Sequence, residues 1–420
     1  MSKDELKEKV LREVDARMPE FERLLGDVIR IPTDNPPGDT TECVTFLADY
    51  LKSKGLPADV YEPQPTLQSL VSYKTGAESG RNLVLNGHLD QFPAGDPEAW
   101  SFDPYSGECR DGRILGRGVG DMKAGSVISL ICLILIHELD VPIDGQLTLT
   151  LVADEEASGQ WGSEWLLDNV PITRGTASLN SEPTLMDQVL IGHKGKYRLD
   201  VETHHEGGQA AMAAEDDAIS QAMQVAQALK KLQGWKLPAP ADVEEAVERG
   251  KLLAVKSGQL AGKEWVADST TVSVGLIRGG VQSNTIPTDC HMEVDLRTPI
   301  GVSTENLKSK VEEVLAQADV DRDRIDLEWV SCLESAYSNP EEEIVRLAAA
   351  NARKITGTDI EINVSSGSTD ARFWWLRGIP AAIFGTGIGN IAVLDEYILE
   401  PEFETVLKVH AATCIDYLCS

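Results

Sequence analysis

From residue 4 to residue 30 apolar and charged positions alternate at helical spacing, which predicts an amphipathic helix. The loop Ile31-Pro-Thr-Asp-Asn-Pro-Pro-Gly is dense in helix breakers and ends it. A second helix is expected from Thr41 to Lys54, then strands near Ala58–Tyr61, Leu67–Tyr73 and Asn82–Asn86. The apolar stretch Met122–Leu139 reads as a long helix. A strand over Gln146–Ala153, a helix over Ser163–Asn169 and a strand over Ala177–Asn180 follow it. Strands alternating with helices predict an α/β layer structure with a mostly parallel sheet.

From about Lys196 the order of elements changes. Tyr197–Glu202, Thr270–Arg278, Cys290–Arg297 and Ile325–Val330 read as strands, Asp217–Leu232 and Thr304–Ala318 as helices. That succession, β-α-β-β-α-β, is a small ferredoxin-like α+β unit, with an extra, partly helical excursion over residues 234–268. The chain returns with a helix over Pro340–Ile355, a short helix over Asp370–Arg377, a strand at Ala381–Phe384 and a closing helix over Glu402–Leu418. The expected division is one domain of residues 1–195 and 331–420, interrupted by a second of residues 196–330.

A length of 420 residues agrees with two domains. The formal net charge of −30 argues against nucleic acid and anionic membrane as partners, since either is repelled over the whole surface. An anionic substrate must then be drawn in by local cations. The seven cysteines are scattered and lack CxxC spacing, which disfavours a disulfide framework or a cysteine zinc site and fits a reducing cytoplasm. The start, MSKDELKEKVLREVD, has no apolar signal core, and the run Val127–Ile136 is too short to span a bilayer, so it reads as a core helix.

The chemistry concentrates between Asn86 and Gly125. Arg81-Asn-Leu-Val-Leu-Asn-Gly is the pattern of a buried strand whose end releases His88 and Asp90 into a crevice. Gly116-Arg-Gly-Val-Gly is a glycine-rich approach to Asp121, with the long apolar helix directly after it. An imidazole and a carboxylate delivered side by side are the ligands a divalent transition metal takes. Asp154-Glu155-Glu156 and Ser181-Glu182-Pro183 each follow the end of an apolar strand. Together these predict a metal site at the carboxyl edge of one sheet.

Nearly end to end, through GHLD, GxGxxDMKxG, DEExSG, SEPT, GVQSNTIP with its later DLR, GSTDAR and DEY, the chain resembles the M20 family of metallopeptidases and amidohydrolases. The resemblance implies a zinc-peptidase-like catalytic domain and a ferredoxin-like lid that often dimerises. It implies that His88, Asp121 and Glu182 hold one divalent metal (zinc, manganese or cobalt), and that Asp121 bridges to a second held by Glu156. Glu155 is then the general base, and Asp90 orients the imidazole of His88. Residue chemistry agrees: a metal lowers the pKa of its water, and a ligand histidine wants an acceptor on its other nitrogen. Arg372, with Asn284 and Arg297, falls where the family recognises a substrate carboxylate, a task suited to guanidinium. His193 opens the hinge into the lid.

Two departures bear on mechanism. The position of the family's last ligand histidine holds Ala392, so one firm metal site is expected, with the second weak or absent. The lid histidine that reaches the scissile carbonyl falls at Gly208, with His204 and His205 a few residues earlier. The expected activity is hydrolysis of a C–N bond, the amide of a small carboxylate-bearing substrate, by a cytoplasmic homo-oligomer associating through the lid. The alternative, in the manner of 5-nitroanthranilate aminohydrolase, is displacement of an aromatic amine, with charge spread into the ring rather than onto an oxyanion. A non-catalytic small-molecule-binding relative is the third reading; it has no use for Glu155.

Overall fold

The computed structural model describes residues 2–212, 216–256, 262–365, 367–387 and 390–419. Helix α1 (Lys3–Ile29) opens with a capping box, in which Ser2 and Glu5 satisfy each other's backbone N–H groups. It buries Leu6, Val10, Val14, Phe21, Leu25 and Val28 on one face and carries Pro19 in its interior. Helix α2 (Thr41–Ser53) follows, then strands β1 (Asp59–Gln64), β2 (Leu67–Thr75) and β3 (Ala77–His88). A tight turn over Val119–Lys123 leads into α3 (Ala124–Glu138), in which every residue from Ala124 to Ile136 is buried. The stretch Val119–Glu138 is long and apolar enough to cross a bilayer, but 94% of its most apolar window is buried inside the protein, as a core helix requires. Strand β4 (Asp144–Val152), a short helix at Trp165–Asn169 and strand β5 (Ala177–Asn180) come next. Strand β6 (Gln188–His193) is a further element; buried at every position, it shows no alternation by which to recognise it.

In the following segment, β7 (Gly195–His204) alternates buried Tyr197, Leu199 and Val201 with outward Lys196, Arg198 and Asp200. Helix α4 (Ala218–Lys230), strands β8 (Thr271–Gly279) and β9 (Asp289–Thr298), helix α5 (Thr304–Ala316) and strand β10 (Ile325–Leu333) complete the unit. Its sheet order is β8-β9-β7-β10, antiparallel throughout. The apolar face packs on both helices through Leu199, Val225, Leu229, Val294, Leu307 and Val311. The excursion between α4 and β8 contains helices Glu244–Lys256 and Trp265–Asp268, while residues 257–261 of it lie outside the described residues.

The chain ends with α6 (Glu343–Thr356), a short helix at Ala371–Trp375, strand β11 (Ala381–Ile383) and α7 (Glu400–Leu418). The main sheet has nine strands: seven run in the order β1-β2-β4-β3-β5-β11-β6, and the short strands Ala336–Tyr337 and Glu361–Ser365 both pair with β6. Its middle strands β4, β3, β5 and β11 are mutually parallel, and antiparallel strands flank them on either side. Pairing of His88 with Val152 and of Asn86 with Asn180 brings the carboxyl ends of β3, β4 and β5 to one edge. By contact density the chain forms two compact units, residues 1–191, 337–362 and 369–420 in one, residues 192–336 and 363–368 in the other.

Helix α1 meets the loop at Gly107 backbone to backbone: a Cβ on Gly26 would come 2.6 Å from the Gly107 carbonyl oxygen. Alanine at a helix interior normally stabilises by about 1 kcal/mol over glycine, but a backbone carbonyl cannot yield as a flexible side chain does, and overpacking typically costs about 1–3 kcal/mol. Gly26→Ala is therefore expected to lower the urea midpoint of unfolding; a raised midpoint would show that this contact relaxes without cost.

Candidate metal centre

Three adjacent parallel strands deliver the site. His88 is the last residue of β3, Glu155 and Glu156 follow the end of β4, and Glu182 lies two residues past β5. A buried amide network fixes their spacing. Asn86 donates to Thr150 Oγ1 (3.1 Å), Asn180 donates to Asn86 Oδ1 (2.6 Å), and the Glu182 N–H donates to Asn180 Oδ1 (2.6 Å). Asp121 comes from the turn before α3, where its φ and ψ of −124° and 97° break the helical path. Glu396 holds this turn: one oxygen accepts the Gly120 N–H at 2.9 Å and the other pairs with Arg117 at 2.5 Å, all of it buried. Thus the glutamate of the closing DEY motif supports the loop that carries Asp121.

His88 is fully buried. With its proton on Nδ1 the ring donates to the Asp90 backbone carbonyl at 2.8 Å, while the Asp90 carboxylate stands 3.5 Å from the same nitrogen. Nε2 then faces Asp121 at 3.1 Å and Glu182 at 3.8 Å. One ligand atom from each of His88, Asp121 and Glu182 lies within 4.8 Å of the other two. A lone pair surrounded by carboxylates is repulsive unless a cation sits among them. Without a metal the cation is a proton: burial opposes it, but Asp121, Asp90 and Glu182 raise the His88 pKa well above its ordinary value. The acids show the same strain. Burial and then Asp121 push Glu182 well up and Glu156 to about 9, and buried oxygens of both, Glu182 Oε2 and Glu156 Oε1, have no hydrogen-bond partner among the described residues. A divalent cation reverses these shifts and supplies the missing partner, so the donor set fits such an ion.

Asp90 does a second job. Burial works against its charge, yet His88, the Asn35 amide and the Glu156 N–H together hold its carboxyl below the usual range. Its oxygens accept the backbone N–H groups of Glu155 (3.1 Å) and Glu156 (3.0 Å) and the Asn35 side chain (2.9 Å). Asp90 therefore locks the start of the loop bearing both glutamates. Asn35, in the breaker-rich loop after α1, gave no sign of this in its sequence context.

The remaining anticipated residues have other surroundings. Arg372, nearly buried, ion-pairs with Glu155 and donates to the Ser158 carbonyl at 3.0 Å. Asn284, Arg297, His193, His204 and His205 belong to the other compact unit. There Arg297 is forked onto Asp295 of its own strand at 2.8 and 3.1 Å, His204 pairs with Asp326 at 3.0 Å, and Asn284 is exposed. His193 is buried, its Nδ1 2.7 Å from the Lys194 carbonyl oxygen, and His205 Nδ1 accepts the Gly207 N–H at 2.9 Å. Ala392 is exposed with a left-handed φ of 59°, and among the described residues no second group of three ligating side chains assembles.

The family described as "Peptidase family M20/M25/M40" matches residues 84–416. A succinyl-diaminopimelate desuccinylase of Wolinella succinogenes is 25% identical over 400 residues, 93% of this chain and 98% of that relative. In fold the chain is similar to the M20 family metallo-carboxypeptidase Sso-CP2 from Sulfolobus solfataricus (TM-score 0.76, 15% identity, 95% and 99% of the two chains covered). It is also similar to the Bacillus subtilis protein YXEP, a dinuclear metal binding peptidase (TM-score 0.68, 13% identity, 96% and 99% covered).

Beneath the site, His410 of α7 lies 2.6 Å from the Phe384 carbonyl through Nε2 and 3.3 Å from Ser181 Oγ through Nδ1. Burial lowers its pKa from 6.5 to about 4. The folded protein keeps this ring neutral while the unfolded chain protonates it below pH 6.5, so stability present above that pH is lost as pH falls towards about 4. The loss attributable to this ring is about 3 kcal/mol in all at 1.36 kcal/mol per pKa unit. Urea unfolding from pH 7 to pH 4.5 is expected to show a shallower acid decline in His410→Gln than in the wild type; parallel declines would contradict it.

Proposed function

The chain belongs to peptidase family M20/M25/M40 and is a hydrolase of C–N bonds, and from that premise we propose that it cleaves the amide of a small carboxylate-bearing molecule, such as an N-succinyl or other N-acyl amino acid. The observation that carries this reading is the position of Glu155 beside the cluster of His88, Asp121 and Glu182, on a loop whose backbone Asp90 holds. His88, Asp121 and Glu182 would hold one divalent ion, and Asp121 with Glu156 a second, weaker one. When bound, such an ion polarises the amide carbonyl and lowers the pKa of a neighbouring water.

The rest of the chemistry belongs to the chain. Glu155 takes one proton from the water as the water oxygen attacks the carbonyl carbon, then delivers that proton to the nitrogen as the C–N bond breaks. The products are an amine and a carboxylic acid, which releases its remaining proton to solvent to become the carboxylate. Burial raises the Glu155 pKa, with the Arg372 charge the largest opposing influence; a carboxyl shifted towards neutrality suits both accepting and returning a proton. The Asp90 carbonyl fixes the tautomer of His88, keeping Nε2 turned to the site. Within the second unit we take Asn284, Arg297, His193, His204 and His205 as candidates for substrate contact; Arg297 must leave Asp295 to serve. The reading carries a cytoplasmic location, with all seven cysteines as free thiols in support. It also carries self-association through the second unit, whose edge strand β8 leaves Ile277 49% exposed.

General acid–base catalysis of this kind contributes about 10²–10⁴-fold. Glu155→Gln is expected to lower kcat on an N-succinyl amino acid by that much while isothermal titration still shows metal binding. Wild-type rates in the variant would overturn the assignment. Turnover of a nitro-activated 2-aminobenzoate, with none of N-acyl amino acids, would transfer the site to aryl-amine displacement.

A further inference from the structure

Arg372 lies in the short helix Ala371–Trp375, and its side chain is 5% exposed. One terminal nitrogen donates to Glu155 Oε1 and the other donates to the Ser158 carbonyl at 3.0 Å, while the guanidinium lies 4.5 Å from the Phe373 ring centroid. The loop from Asp154 to Gly159 is shaped around this group. A Cβ on Gly159, whose φ is +71°, would come 2.6 Å from the Arg372 guanidinium and 2.7 Å from the Phe373 ring. Asp154, itself at φ +75°, closes the loop by accepting the Ser158 hydroxyl at 2.8 Å and the Trp161 N–H at 3.1 Å.

Glu155 is thus gripped at both ends. Asp90 takes its backbone N–H and Arg372 takes its Oε1, while Oε2 has no hydrogen-bond partner among the described residues. A guanidinium with both terminal nitrogens engaged and almost no exposed surface is badly placed to receive a substrate carboxylate. The geometry points instead to Arg372 as a positioning residue for the base: it immobilises one oxygen of Glu155 and the Ser158 carbonyl, so that the other oxygen is presented to the water in one orientation. This inference rests on the amide-hydrolase reading above.

The test compares wild type, Arg372→Lys and Gly159→Ala on two substrates, an N-acyl amino acid and its carboxamide analogue lacking the free carboxylate. Misplacement of a reacting group by about 1 Å costs about 10²-fold. A kcat loss of that order on both substrates, with KM within about threefold of wild type, is expected for Arg372→Lys. Gly159→Ala displaces the guanidinium without altering its charge, is expected to behave the same way, and decides the matter alone if Arg372→Lys does not fold. Amide hydrogen exchange over residues 155–159 is expected to accelerate in both variants, with metal binding by calorimetry retained. In a Glu155→Gln background neither substitution should lower kcat further, because both act through that carboxylate. A KM increase confined to the carboxylate substrate with kcat intact, or additive losses in the Glu155→Gln background, would overturn the inference. Full activity of Glu155→Gln itself would instead overturn the reading on which it rests.

Discussion

Carboxyl groups crowd one buried imidazole, and the repulsion among them is the constraint to which the rest of this site answers. Asp121 and Glu182 both face Nε2 of His88, with Asp90 behind the ring and Glu155 and Glu156 on the neighbouring loop. Removed from water, like charges so placed resist ionisation, as the raised pKa values of Glu156 and Glu182 register. A fold does not retain such a cluster for stability, since isolated buried charge is expensive. A divalent ion held among these groups would convert repulsion into coordination.

Holding that arrangement requires rigidity from directions that do not themselves bind an ion. The amide network of Asn86, Thr150 and Asn180 fixes the offsets of three parallel strand ends. Arg117 and Glu396 hold the turn that carries Asp121 from the far end of the sequence. Asp90 spends its carboxylate largely on the amides of residues 155 and 156, so one residue couples the histidine side of the site to the glutamate side. Arg372 completes the frame from the C-terminal segment.

The sheet and its carboxyl edge were legible in the sequence because each acid follows an apolar run that stops. Periodicity alone placed most helices within a few residues. Strand β6 escaped because uniform burial leaves no alternation, and β3 extends back to Ala77, beyond the apolar run at Leu83–Leu85 that betrays it. The clustered residues His88, Asp121 and Glu182 were legible because their chemistry is local to motifs. Partners were not: nothing near Asn35 or Glu396 in sequence says that one will meet Asp90 and the other Gly120. For Arg372, the family resemblance suggested recognition of a substrate carboxylate, whereas in the structure its guanidinium pairs with Glu155 of the same unit. Ala392 likewise stands exposed where a ligand histidine was missed, leaving His88, Asp121 and Glu182 as the assembled donor set among the described residues.

The central claim is that this donor set exists to hold a cation. Calorimetric titration of metal-stripped protein with Zn²⁺ and Mn²⁺, in the wild type and in His88→Ala, tests it most directly. The account predicts one tightly bound ion per chain that His88→Ala abolishes, with any second ion binding more weakly. Undiminished tight binding in His88→Ala would contradict it.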